Sequence, residues 1–210
     1  MQTTNKDIQR FDRESSGYET WAYQSLIFDW VHRTAIAAVE AISPEINPDT
    51  ILDIGCGTGR LLRELAERWP AAKLIGVDPA EGMIAEARRR MPSDGGSQGA
   101  TFYVSMAERL PLPDAAVELA FSTISFHHWQ EQAQGIREVA RVLRPGGRFV
   151  LVDFSLPYIL LKIFRHSQQL SPAAVRELFT QAGLVVQEQR RVMRRFMLIT
   201  IGRKPDTVEK

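Results

Sequence analysis

Hydrophobic positions along the chain repeat at two different spacings. From 18 to 42, YETWAYQSLIFDWVHRTAIAAVEAI, apolar residues recur every three or four positions, which predicts an amphipathic helix. Pro44 and Pro48 end that region. Beyond them, short β-branched runs take turns with helical stretches. TILDIG predicts a strand and RLLRELAERW a helix; KLIGVD is a second strand and AEGMIAEARRRM a second helix, which Pro92 stops. SDGGSQG is a surface loop, TFYVSM a third strand and LPLPD a rigid turn. VELAFSTIS is a fourth strand and WQEQAQGIREVARVL a helix, after which Pro145, Gly146 and Gly147 turn the chain into RFVLVDF. SPAAVRELFTQAG has Ser171 as N-cap, Pro172 in its first turn and Gly183 as C-cap. LVVQEQRRV and RFMLITIGRK then follow without a helix between them and predict a hairpin.

Strands alternating with helices imply a mostly parallel sheet covered on both faces, with ligands at the carboxyl ends of the strands. The fold class expected is α/β and Rossmann-like, seven-stranded, with only the last strand antiparallel. One domain is expected over residues 1–210, with 1–45 as a helical lid.

Length and charge narrow the function. The chain has 210 residues and a net charge of +1, so no global field favours a long nucleic acid. A small or neutral substrate is expected, with no nucleic-acid partner. Arg88, Arg89 and Arg90, like Arg190 and Arg191, read as solvated faces. Cys56 is the only cysteine, which excludes an internal disulfide and fits a reducing compartment. MQTTNKDIQRFDRESS lacks the apolar core of a signal peptide. No apolar stretch approaches the roughly 20 residues of a membrane helix. SLPYILLKIF is shorter, is broken by Lys162, and reads as a buried or amphipathic helix. A cytoplasmic protein is expected.

The densest signal is ILDIGCGTG, residues 51–59. Gly55, Gly57 and Gly59 fall where the first strand becomes the first helix. Bare backbone there permits a tight turn and close approach of a polar or anionic ligand group. The dinucleotide fingerprint G-x-G-x-x-G would need a third glycine where Arg60 stands, so a nicotinamide or flavin is a poor match.

The spacing D-x-G-x-G-x-G resembles the first motif of class I S-adenosylmethionine-dependent methyltransferases. KLIGVDPAEGMI resembles their second strand, SMAERLPLPDAAVELAFSTISFHHW their third and fourth, and LRPGGRFVLVDF the turn into the fifth. FDRESSGYE resembles the opening of the ubiquinone and menaquinone biosynthesis methyltransferases. The resemblance implies S-adenosylmethionine as cofactor, with S-adenosylhomocysteine as product. It implies a cofactor site of Asp53, Gly55, Cys56, Gly57 and Gly59 on the first loop, and of Asp78, Pro79 and Met83 beyond the second strand. Asp78 would hold the ribose hydroxyls and Met83 would cover the adenine. Met106, Ala107 and Glu108 would meet the adenine edge, Ser122 comes from the fourth strand, and Tyr18 would lie over the cofactor in the lid. The family's usual Asp is replaced by Met106, so Glu108 or a water is expected to meet the adenine amino group.

In this chemistry the cofactor carries the reactivity and the protein positions it. His127 and His128 in SFHHW are the candidate bases, with His127 preferred because it lies nearer the strand end; His32 and His166 read as surface or packing residues. Cys56 reads as packing, and no metal site is expected. STISFHHW lacks the Pro-Pro-aromatic turn of DNA amino-methylating enzymes. The aromatic group Phe11, Tyr18, Trp21, Tyr23, Phe28 and Trp30 suits an apolar or aromatic small-molecule acceptor. A cofactor-binding protein that acts through a partner instead of by turnover remains an alternative, and an oligomer is possible.

Overall fold

The computed structural model describes residues 2–15, 22–91, 99–155 and 171–206. Its strands are β1 (Thr50–Ile54), β2 (Lys73–Asp78), β3 (Ala100–Val104), β4 (Val117–Thr123), β5 (Leu143–Phe154), β6 (Val185–Val192) and β7 (Met197–Arg203). Its helices are α1 (Gln2–Glu14), α2 (Ala22–Ile42), α3 (Arg60–Arg68), α4 (Glu81–Arg90), α5 (Gln132–Val142) and α6 (Pro172–Gln181). The strands form one seven-stranded sheet in the order β3-β2-β1-β4-β5-β7-β6. β1 lies parallel between β2 and β4, and β5 continues the parallel run beside β4. β7 is antiparallel to both β5 and β6, because only the short turn at 193–196 joins β6 to β7 and a parallel crossover needs a dozen residues or more.

Each face of the sheet buries one apolar layer. Val31, Ala35, Ala38 and Val39 of α2 pack with Leu61, Leu62 and Leu65 of α3 and Ile84 and Ala87 of α4 on one face. Ile136 and Val139 of α5 join Val175 and Phe179 of α6 on the other, where Phe179 stacks on Phe149 at 5.3 Å. Ser171 caps α6 as its sequence implies, accepting from Ala174 N at 3.2 Å. No helix among the described residues is long and apolar enough to cross a membrane.

Three local features depart from the sequence pattern. The polar N-terminus forms a separate helix, α1, where Asp12 accepts from Gly82 N of α4. The helix expected from Trp129 starts at Gln132, because Phe126–His128 form a separate 3₁₀ turn and Trp129 is extended. Residues 144–147 sit inside β5 as an irregularity, with Val117 opposite Leu143 and Leu119 already opposite Arg148. The SLPYILLKIF segment beyond Ser155, the loop residues 92–98 and His166 lie outside the described residues.

Candidate functional site

The carboxyl ends of β1, β2 and β4 meet in one open cavity, roofed by α1 and α2. The glycine loop forms its floor. Gly55 and Cys56 both donate their N–H to Val77 O, at 2.7 and 3.1 Å, which locks the loop to the end of β2. Gly55 has φ +75°, and a Cβ there would overlap Ser125. Gly57 has φ +51°, and a Cβ there would meet nothing within 4 Å. So Gly55 is required by a protein neighbour, whereas Gly57 leaves open space at the cavity wall. Gly59 does not line the cavity: it is the N-cap of α3 and faces Ala87 and Phe102.

Two carboxyls lie under this loop. Asp78 accepts from Gly57 N at 3.0 Å and from Ala80 N at 2.9 Å, so it shapes the loop and starts α4 at once. Burial pushes its carboxyl up to about 6, against the two backbone donors that favour the charged form. Asp53 is 2% exposed, and its Oδ1 has no hydrogen-bond partner among the described residues. Burial first, then the charge of Asp78, push its carboxyl up to about 8. The same burial and the same two carboxyls push the Cys56 thiol well up, which keeps it protonated and fits packing rather than nucleophilic attack.

The far wall carries Pro79, Met83, Met106, Ala107 and Glu108, all on the cavity. Glu108 Oε1 accepts from Glu131 N at 3.0 Å, which ties the segment after β3 to the start of α5. Glu138 accepts from Leu110 N at 2.9 Å, and Arg141 donates to Leu112 O at 2.8 Å. A carboxylate–guanidinium pair on α5 thereby fixes the loop behind Met106 and Ala107.

The turn after β4 is strained and internally bonded. Ile124, a β-branched residue on the cavity wall, has φ +52° and donates its N–H to Val152 O at 2.9 Å. Ser125 Oγ donates to Ile54 O at 2.9 Å and lies 2.8 Å from Ser122 Oγ. Ser122, expected at the cofactor, is fully buried and off the cavity; it anchors Ser125 instead. The two histidines also divide. His127 lies off the cavity, its ring and its backbone N–H both bonded to Asp153 at 2.8 and 3.0 Å. His128 lines the cavity, against the ranking that chain position suggested. Its ring stands edge-on to Phe11 at 5.3 Å, with Nδ1 3.4 Å from Asp7. Burial, reinforced by the neighbouring His127 ring, holds His128 well below its ordinary value.

The roof comes from the two N-terminal helices. Asp12 of α1 accepts from Gly82 N at 2.9 Å, which caps the first turn of α4 from outside. A Cβ on Gly82 would lie 2.8 Å from Asp12 O, so this glycine permits the contact. Phe11 and Phe28 line the cavity, whereas Trp30 is 38% exposed and turns away from it. Tyr18 and Trp21 lie outside the described residues, as does the side chain of Tyr23. Arg60, which displaces the third glycine of the dinucleotide pattern, lines the cavity and pairs with Asp29 at 2.6 Å. Arg88 donates to Phe102 O, while Arg89 and Arg90 pair with Glu86. His32 is neither on the surface nor simple packing: it is 3% exposed, reaches the cavity, and bonds Glu64 at 2.8 Å. Its position four residues after Phe28, on the apolar face that continues through Ala35 and Val39, was the signal that pointed inward.

S-Adenosylmethionine presents a cationic ammonium and sulfonium, a diol and a flat adenine. The residues fit it. Asp53 offers a buried acceptor without a partner, Gly57 leaves its wall open, and Met83 and Ala107 give apolar surface beside the carboxylate of Asp78.

The chain is similar to known proteins in sequence and in fold. The methyltransferase domain family matches residues 51–147. A malonyl-[acyl-carrier protein] O-methyltransferase of Methylococcus capsulatus is 36% identical over 124 residues, covering 59% of this chain and 43% of that protein. A demethylmenaquinone methyltransferase of Deinococcus radiodurans is 37% identical over 122 residues, covering 58% and 48%. The matched stretch thus spans about half the length of either relative. In fold, the chain resembles a methyltransferase solved with the Trm112 methyltransferase activator of Haloferax volcanii, with TM-score 0.74, 23% identity and coverage of 93% and 99%.

Proposed function

We propose that this chain, which belongs to the class I S-adenosylmethionine-dependent methyltransferases, transfers a methyl group to a small aromatic or otherwise apolar acceptor. The observation that carries the cofactor half is the unpartnered Oδ1 of Asp53 beside the open wall at Gly57. When bound, S-adenosylmethionine supplies a methyl group activated by a positive sulfur. The chain's own residues do the rest. Asp53 holds positive charge at the buried end of the site. Asp78 keeps lone pairs for hydroxyls while it bonds Gly57 and Ala80. Met83 and Ala107 enclose a flat ring, and Glu108 keeps one carboxylate oxygen for an amino group while the other accepts from Glu131. The helices α1 and α2 form a lid that excludes water.

The remaining wall supports this acceptor class. Phe11, Phe28, Ile124 and Trp129 give it an apolar, largely aromatic lining. By name, one relative acts on demethylmenaquinone and the other on a malonyl-acyl-carrier protein. The aromatic lining favours the first kind.

Incubation with methyl-labelled S-adenosylmethionine tests this against naphthohydroquinones, simple phenols and malonyl thioesters. Label in an aromatic product is the expected result. Label only in the thioester would replace the acceptor class. Tight cofactor binding without label in any product would favour the non-catalytic alternative, in which the chain acts through a protein partner.

A further inference from the structure

Three histidines near the cavity sit beside a carboxylate, and they differ in what they can do. His127 is committed to Asp153 through ring and backbone, and lies off the cavity. His128 reaches the cavity, but its surroundings disfavour a positive ring: it is half-buried and its centroid is 4.0 Å from that of His127. A ring so reluctant to charge is a weak proton acceptor. His32 is different. It reaches the cavity from α2, and its Nδ1 lies 2.8 Å from Oε1 of Glu64 on α3.

A carboxylate only accepts, so the proton between these atoms belongs to Nδ1 of His32. The ring is then fixed in one tautomer, with the lone pair on Nε2. The side chain is 4% exposed, whereas Glu64 is 28% exposed and keeps contact with solvent. The ring packs at 6.0 Å from Phe28, one helical turn earlier on α2. The other charges on this wall are matched: Arg60 of α3 is paired with Asp29 of α2. With His32 on the cavity wall beside Phe28, that lone pair can accept from a donor mounted on a flat apolar body, which describes a phenolic hydroxyl.

We infer that His32 and Glu64 form the hydroxyl-binding site of the acceptor chamber, with Nε2 of His32 as the atom that takes the proton of an aromatic hydroxyl. This rests on the methyltransferase reading. In the step, the O–H bond breaks, the proton moves to Nε2, and the electron pair stays on oxygen. The ring, now charged, faces the Glu64 carboxylate through Nδ1–H, and the acceptor becomes an aryloxide, a stronger nucleophile than the phenol.

The test uses the full chain labelled with nitrogen-15 in histidine, with and without S-adenosylhomocysteine, titrated with 2-naphthol as probe. Nuclear magnetic resonance should show a neutral imidazole protonated at Nδ1, absent in His32→Gln, whose Nε2 resonance moves as naphthol saturates. His32→Gln should weaken naphthol at least tenfold and leave S-adenosylhomocysteine within twofold. Glu64→Gln, which keeps the helix contact, should release the tautomer and weaken naphthol about threefold; it carries the comparison if His32→Gln does not fold. Unchanged naphthol affinity in the variants, no saturable naphthol binding to the native chain, or the opposite tautomer would each overturn the assignment. Failure of S-adenosylhomocysteine to bind the folded chain would instead overturn the cofactor reading, and the naphthol titration without it would still report on His32.

Discussion

The cavity has two halves built on different principles. The cofactor half is made by backbone at the ends of β1 and β2, where Gly55 and Cys56 bond Val77 O and Asp78 bonds Gly57. The acceptor half is made by side chains that separate elements bring together: Phe11 from α1, Phe28 and His32 from α2, His128 from the turn after β4. The first half is local and rigid, so one substitution disturbs fold and binding together. The second is assembled from helices that pack over the sheet, so its substitutions should alter ligand choice more than stability.

The sharpest way to break this contrast is within the glycine loop. Gly55→Ala combines positive φ with overlap of Ser125, and should cost about 3 kcal/mol of stability, read by denaturant unfolding. A loss below about 1 kcal/mol would mean that the loop yields, contrary to a rigid cofactor half.

A second effect comes from Asp53. A carboxyl raised to about 8 keeps a proton in the folded chain that the unfolded chain releases near 3.8. The folded state therefore binds more protons across that window, and its contribution to stability falls as pH rises. Asp78, raised to about 6, adds to this slope at lower pH. His128, held below its ordinary 6.5, acts oppositely there, because the unfolded chain takes the extra proton. The range from pH 6.5 to 8 isolates Asp53. The ligand-free chain should lose roughly 1 kcal/mol per pH unit in that range, and Asp53→Asn should flatten the slope. A bound cation favours the ionised carboxyl, so cofactor affinity should rise with pH over the same range.

Gly57→Ala sharpens the comparison from the other side. With no neighbour within 4 Å of its Cβ, it should lose only about 1 kcal/mol of stability through its φ, yet bind S-adenosylhomocysteine at least tenfold more weakly. Equal losses for Gly55→Ala and Gly57→Ala, in both assays, would erase the distinction between them. The smallest effect belongs to the roof. Asp12→Ala removes the cap on Gly82 N, and should make α1 more open to limited proteolysis while weakening cofactor binding only two- to fivefold. Unaltered cleavage of α1 would show that this contact does not hold the lid.

The same contrast explains what the sequence makes legible. Strand and helix periods mark the sheet, and the loop from Asp53 to Gly59 is contiguous, so its residues announce themselves together. Asp78 lies one short helix and strand later, at a strand end where its role is positional. The acceptor half lacks such a string. The apolar face shared with Phe28, Ala35 and Val39 marks His32 as inward-facing, but that this face borders the cavity is a long-range packing fact. His127 and His128 are adjacent in sequence, and only the 3₁₀ turn, with Asp153 waiting at the end of β5, sends one ring inward to the strand and the other to the cavity. Ser122 looks like a cavity residue from its strand position, but the strained turn at Ile124 brings Ser125 back over it. α1 carries only two apolar residues, Ile8 and Phe11, so its contacts through Asp12 to Gly82 and Phe11 to His128 are hard to read in advance.

The most direct measurement is calorimetric titration of S-adenosylhomocysteine into the native chain and into Asp78→Ala at pH 7.5, with unfolding midpoints taken in parallel. One site of micromolar affinity in the native chain, weakened at least tenfold in a variant that remains folded, is the expected result. Equal affinity for the two folded proteins, or no binding to the native chain, would contradict the placement of the cofactor at the ends of β1 and β2.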